Sequence, residues 1–260
     1  MNDKLWENLN ENVIHADGTD YQLFLDREQI VDYYCPLANI IINKLENKNR
    51  FIVGIAGPPG SGKTAFASIL ALVINTIANK NIASIVSLDG WHFSNIYLEN
   101  KYVKINDDMI CLKKIKGNPN TYDFYSFWQF LKRVSDGGSI KFPKYSRKIH
   151  DPIQDAGQIS DHQRIIIVEG NFLFLSQQPW NVLKELFSLK IFLDLDIEIV
   201  CDFIKERQLR GGRDLEYIEK QIKTVDIPNA QLITSTKKYA DILIMKKDSV
   251  HIKKIINCRG

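Results

Sequence analysis

Residues 51–64 constrain this chain more than any other stretch. Phe51-Ile-Val-Gly-Ile-Ala56 is an apolar run of strand length. It leads directly into Gly57-Pro58-Pro59-Gly60-Ser61-Gly62-Lys63-Thr64. The octet fits Gly-x-x-x-x-Gly-Lys-Ser/Thr, and a helical pattern over Lys63–Ile77 follows it. Glycines let the backbone bend so that successive N–H groups converge on phosphate oxygens, and the opening of the helix adds the positive end of its dipole. In that arrangement residues Gly57 to Thr64 cradle a nucleoside triphosphate. Lys63 reaches the β- and γ-phosphates, and the Thr64 hydroxyl ligates Mg²⁺. At average residue usage the four fixed positions arise by accident in roughly one chain in a hundred of this length, and the strand–loop–helix setting makes accident rarer still.

The rest of the pattern is α/β. Short apolar runs predict strands at Phe51–Ala56, Ala83–Leu88, Arg164–Val168, Lys190–Leu195 and Asp241–Met245. Helical spacing falls at Lys63–Ile77, Tyr125–Val134, Trp180–Phe187, Ile197–Leu209 and Leu215–Val225. Strands apolar on both faces and separated by helices imply a mostly parallel sheet with right-handed crossovers. Ahead of the first strand, Ile30, Val31, Tyr34, Leu37, Ile40, Ile41 and Leu45 recur at helical spacing after the cap-like Asp26, interrupted by Pro36. This reads as an N-terminal helical extension, 1–49, followed by one domain, 50–260.

Three absences narrow the class of nucleotide protein. Asn-Lys-x-Asp, the guanine signature, does not follow the loop; the two Asn-Lys pairs at Asn43 and Asn47 precede it and lack the Asp. No apolar strand ends in Asp-Glu, and Leu-Ser-Gly-Gly-Gln is missing. These absences put the small-molecule kinases ahead. The strand Ile85–Leu88 ends in Asp89-Gly90-Trp91-His92, and ligands of open parallel sheets sit beyond the carboxyl ends of strands. There Asp89 can take the proton of a hydroxyl attacking the γ-phosphate, with His92 holding the acceptor. The alternative makes Asp89-Gly90 a simple turn. Arg164-Ile-Ile-Ile-Val-Glu169 is an apolar strand ending in an acid, the position that holds Mg²⁺ or its water. Asp196, at the end of another strand, reads instead as a helix cap.

Composition excludes other classes. With 45% hydrophobic and 25% charged residues the chain can bury a core, and it holds no stretch of eighteen uncharged apolar residues. The polar, acidic start is unlike a secretory signal. Cys35, Cys111, Cys201 and Cys258 stand far apart, which argues against a zinc site or a disulfide framework and for a reducing cytoplasm. A formal charge of +3 does not by itself call for nucleic acid, and no membrane partner is expected. Residues 1–32 hold eight acids against Lys4 and Arg27, a net of −6, so the remainder carries +9. That suits an anionic ligand or merely a solvated basic surface.

The ordered set Gly57–Thr64, Asp89-Gly-Trp-His92, Lys116-Gly-Asn-Pro-Asn-Thr-Tyr-Asp123, Pro143-Lys-Tyr-Ser-Arg147 and Val168-Glu-Gly-Asn171 resembles the phosphoribulokinase/uridine kinase/type I pantothenate kinase branch of P-loop kinases. It is most similar to bacterial members assigned as nucleoside or fructose kinases. The likeness runs from about Phe51 to Asp248. It implies a three-layer α/β/α fold, ATP as donor, Mg²⁺, a small hydroxylated acceptor, Asp89 as base and Glu169 near the metal. It also places Asn171 among the acceptor contacts and leaves a homodimer open. Trp91 and Tyr122 depart from the family's usual Phe.

Two further groups come from the residues themselves. Tyr145 and Arg147 can bind a sugar, acid or phosphate, or can belong to a structural loop. Arg207, Arg210 and Arg213 surround Gly211-Gly212. They describe either ordinary complements to a helix C-terminus or a hinged lid, about 203–230, that neutralises the transferring phosphoryl group. The competing function is a nucleotide-binding regulator or NTPase with no small-molecule acceptor.

Overall fold

The computed structural model describes Trp6 and residues 26–45, 48–105, 107–210, 212 and 214–258, with the backbone alone for Arg207 and Arg210. The elements follow as α1 (Cys35–Lys44), β1 (Phe51–Ala56), α2 (Lys63–Ala78), β2 (Ala83–Ser87), α3 (Asn95–Asn100), β3 (Tyr102–Ile105) and β4 (Asp108–Cys111). Then come α4 (Phe124–Asp136), β5 (Ile140–Ser146), β6 (Asp151–Ile159), β7 (Ile165–Glu169) and β8 (Leu189–Asp194). The chain continues with α5 (Ile197–Arg210), α6 (Leu215–Gln221), α7 (Ile227–Thr234), β9 (Ile242–Lys246) and β10 (Ile252–Asn257). Six strands form one sheet in the order β10-β9-β8-β1-β7-β2. All pairings in it are parallel except β9–β10.

Every residue of β1 and β7 is buried, as strands covered on both faces must be. The pleat divides their side chains. Phe51, Val53, Ile55, Ile165 and Ile167 pack with α1 and α2, whereas Ile52, Ala56, Ile166 and Val168 pack with α4 and the segment Phe172–Leu183. This gives three layers. Ile30, Tyr34, Leu37, Ala38, Ile41 and Leu45 lie in the first of these cores, so the described part of the N-terminal extension shares the domain's interior. A third, smaller core under α5 and α6 is built from Leu195, Val200, Ile204, Ile218 and Ile222.

Several boundaries differ from the expectations. The helical stretch expected at Trp180–Phe187 is a 3-10 helix, Trp180–Leu186. Its core contacts come from Trp180, Leu183 and Leu186, a spacing of three that matches 3.0 residues per turn. The helix expected over Leu215–Val225 is α6 followed by a π-turn, Ile222–Asp226, which runs on into α7. A second π-turn, Ile30–Tyr34, precedes α1. Each lies just before a proline, Pro36 or Pro228, in the first turn of the following helix. Proline lacks the N–H that a continuous helix would need, and the widened turn lets the chain proceed without it. β5 runs to Ser146 and so includes Tyr145.

Candidate active site

The phosphate loop joins β1 to α2 as expected. Gly62 caps α2 with φ +79°, a left-handed conformation, and a Cβ there would lie 1.8 Å from the Ser249 carbonyl oxygen. Both facts demand glycine. The second shows that the turn between β9 and β10 presses on the loop, a contact with no signature in the sequence. Lys63 is buried, and its ammonium donates to the Gly57 and Pro58 carbonyls at 3.0 Å each. The buried Ser61 hydroxyl has no hydrogen-bond partner among the described residues. An unsatisfied buried hydroxyl in a ring of loop amides fits a phosphate oxygen.

Parallel register sets the acids. β7 pairs with both β1 and β2, so that Glu169 stands beside Ile55 and Ser87. Glu169 is only 4% exposed, and its Oε1 accepts from the Thr64 hydroxyl at 3.3 Å. A carboxylate and a hydroxyl are hard oxygen donors, the chemistry Mg²⁺ prefers. Asp196 accepts the Glu198 N–H at 2.9 Å, the capping role expected of it.

Two residues past Ser87, Asp89 lies in the 3-10 turn Leu88–Trp91. Gly90 serves close packing there rather than a left-handed turn, since a Cβ would lie 2.1 Å from the Pro143 carbonyl oxygen. That approach brings β5 across the end of β2. Asp89 Oδ1 accepts from the Tyr122 hydroxyl at 3.3 Å. The His92 ring lies 3.9 Å from that of Tyr122 and 5.1 Å from that of Tyr145. Burial, followed by the Asp89 carboxylate, raises the Tyr122 phenol well above its ordinary value, so it stays a neutral donor. Burial lowers His92, an effect that Asp89 opposes. His92 Nδ1 sits 2.9 Å from the Asp89 carbonyl oxygen. A carbonyl cannot donate, so Nδ1 carries the proton in this contact and the neutral ring keeps Nε2 as an acceptor.

Arg147 is half-buried on the turn between β5 and β6, and Asn171 is half-buried two residues beyond Glu169. The side chains of Arg207 and Arg210, the whole of Arg213, and Gly211 lie outside the described residues. Within the stretch expected to form the lid, Phe203 of α5 lies against the phosphate loop, 3.0 Å from where a Cβ on Gly60 would stand. Sequence reasoning takes Tyr122 as core or acceptor-pocket lining and gives its hydroxyl no part in holding Asp89, although the departure from the family's Phe marks that hydroxyl. Lys116 enters it only as the start of the Lys116–Asp123 stretch, with no role of its own.

A family model described as Phosphoribulokinase / Uridine kinase family matches residues 52–253. The chain belongs to that family. It is accordingly a small-molecule kinase of the P-loop type. Among relatives, a Schizosaccharomyces pombe protein provisionally named a uridine kinase is 28% identical over 232 residues, covering 82% of this kinase and 96% of that protein. A Streptococcus thermophilus pantothenate kinase is 25% identical over 276 residues, with 88% and 87% covered. Among solved structures, a Silicibacter sp. TM1040 kinase provisionally assigned to fructose transport superposes with a TM-score of 0.70 at 24% identity. That match covers 78% of this kinase and 94% of that chain, and it supports the three-layer fold. Among the described residues no helix is long and apolar enough to cross a membrane.

Proposed function

We propose that this kinase transfers the γ-phosphoryl group of ATP to a hydroxyl of a small metabolite, with Asp89 as general base. The supporting observation is the β2–β7 register, which sets the Asp89 turn beside Glu169, itself bonded to Thr64 of the phosphate loop. Asp89 takes the acceptor's proton as the hydroxyl oxygen attacks the γ-phosphorus. The bond from that phosphorus to the β–γ bridging oxygen breaks, and ADP departs with the electron pair. Lys63 and the loop amides hold the phosphates. Thr64 and Glu169 would hold Mg²⁺, which when bound offsets charge on the phosphate oxygens. Tyr122 and His92 fix Asp89 and the acceptor, with Tyr145, Arg147 and Asn171 completing the acceptor's surroundings. Arg207, Arg210 and Arg213 belong to the closing lid. The wide spacing of the cysteines suits a reducing cytoplasm. The gathering of Tyr122, His92 and Tyr145 around Asp89 argues against a regulator that lacks an acceptor.

Asp89→Asn is the test. ATP affinity by calorimetry should stay near wild type while kcat falls by on the order of 10²–10⁴, the usual worth of acid–base catalysis. A near-normal kcat returns Asp89 to a turn-forming role.

A further inference from the structure

Beside Asp89 lies a cation that the reaction so far does not use. Lys116 follows the 3-10 turn Leu112–Ile115 and is half-buried. Its ammonium donates to Asn95 Oδ1 and to the His150 carbonyl, both at 2.8 Å, and rests 5.2 Å above the Tyr145 ring. Lys113 donates to the same Asn95 Oδ1 at 2.7 Å. The Asn95 amide nitrogen donates to His150 at 2.8 Å, which fixes the orientation of that amide. Two ammonium groups thus converge on one neutral oxygen. Among the described residues, Lys113 has Glu99 at 3.4 Å, whereas Lys116 has no carboxylate in ion-pair contact. The backbone is pinned as well, because the buried Asn229 of α7 donates to the Gly117 carbonyl at 3.3 Å.

Burial first, then Lys113, lowers Lys116 from its ordinary value, while Asp151 and Asp89 oppose them. Tyr145 touches both the Lys116 ammonium and the His92 ring, and His92 contacts Asp89, so the four share one neighbourhood. Holding two like charges together on neutral oxygens beside the base disfavours the resting protein. An acceptor bearing its own negative charge would relieve that cost, and a neutral polyol would not.

We propose that Lys116, seconded by Lys113, binds an anionic group of the acceptor, so that the substrate class is a small hydroxy acid or a phosphorylated alcohol. This rests on the kinase reading above. The shared chemistry is an anion beside a hydroxyl; carboxylate and phosphate are its two sources.

The test uses the full chain with Mg-ATP and matched acceptors: hydroxy acids against their amides, and sugar phosphates against the parent sugars. Wild type should turn over anionic members with kcat/KM at least about tenfold above the neutral partner, and the better series tells carboxylate from phosphate. Lys116→Met should raise the anionic acceptor's KM roughly ten- to hundredfold, the worth of one charge-assisted hydrogen bond, while sparing the KM for ATP. Lys116→Arg, which keeps the charge, should retain most of the anion preference and controls for lost folding. Phosphorylation of neutral acceptors alone, or an anion preference that survives Lys116→Met, overturns this proposal and leaves the kinase reading standing. No turnover with any acceptor overturns both.

Discussion

Tyr122 shows how much of this site depends on single side chains. Its ring is buried against Phe172 and Trp180, and its hydroxyl donates to the carboxylate assigned as base. Hydrogen bonds to charged groups contribute about 1.5–3 kcal/mol, but Asp89 keeps part of its surface in water, which can replace some of the loss. Tyr122→Phe should therefore lower kcat by about tenfold with little change in the KM for ATP. Steady-state kinetics would show it, and an unchanged kcat would mean that Asp89 is oriented without the phenol. Asp89, Glu169 and Thr64 were legible in the sequence because motifs and strand ends betray them. Tyr122 and Arg50 were not. Arg50 closes a run of polar residues and looks like surface, yet it is buried and donates to the carbonyls of Val134, Gly138, Ser160 and Gln163. Those acceptors lie far along the chain, where no local pattern points to them.

Among the elements, the turn between β9 and β10 matters most to the phosphate loop. Lys246 is buried at its base and donates to the Val250 carbonyl at 2.7 Å. Burial lowers Lys246 to about 8 from 10.5, against the pull of Asp248. Between those values the unfolded chain holds the proton that the folded one has released, so stability rises with pH there, and the fold carries the cost in full below pH 8. That cost is on the order of 3 kcal/mol. Lys246→Met removes it but also loses a hydrogen bond of similar size, so the variant should be about as stable as wild type at pH 7. It should lack the rise between pH 8 and 10.5 and should bind ATP more weakly, because the turn on Gly62 loses its tie. Thermal unfolding across that range, with calorimetry at pH 7, checks both, and equal pH slopes would refute the assignment. The sheet strands were readable as short apolar runs. Strands β3, β4 and β6 escaped because each leaves half or more of its side chains exposed and so has no apolar signature.

At the level of the whole molecule, the helical segment before β1 is part of the core. Gln29 exchanges hydrogen bonds with the backbone of Ile252 at 2.7 and 3.2 Å, which ties this segment to β10. Ile30, Leu37, Ile41 and Leu45 are buried, each worth about 1.5–3 kcal/mol. Their sum rivals the 5–15 kcal/mol by which a domain is stable at all. Removing residues 1–45 should therefore abolish cooperative unfolding by circular dichroism, and a truncated chain with a near-normal transition would contradict this. The periodicity revealed the helix, but nothing local could reveal that it packs on α2. The strand order has one more effect. β1 sits between β7 and β8, with Phe51 opposite Ile165 and Val53 opposite Leu189. During translation the strand that bears the phosphate loop leaves the ribosome with both edges bare and waits for most of the chain before either neighbour is made. Mispairing is most dangerous in that interval, and an unfinished polypeptide of this kind is a natural client for a holding chaperone.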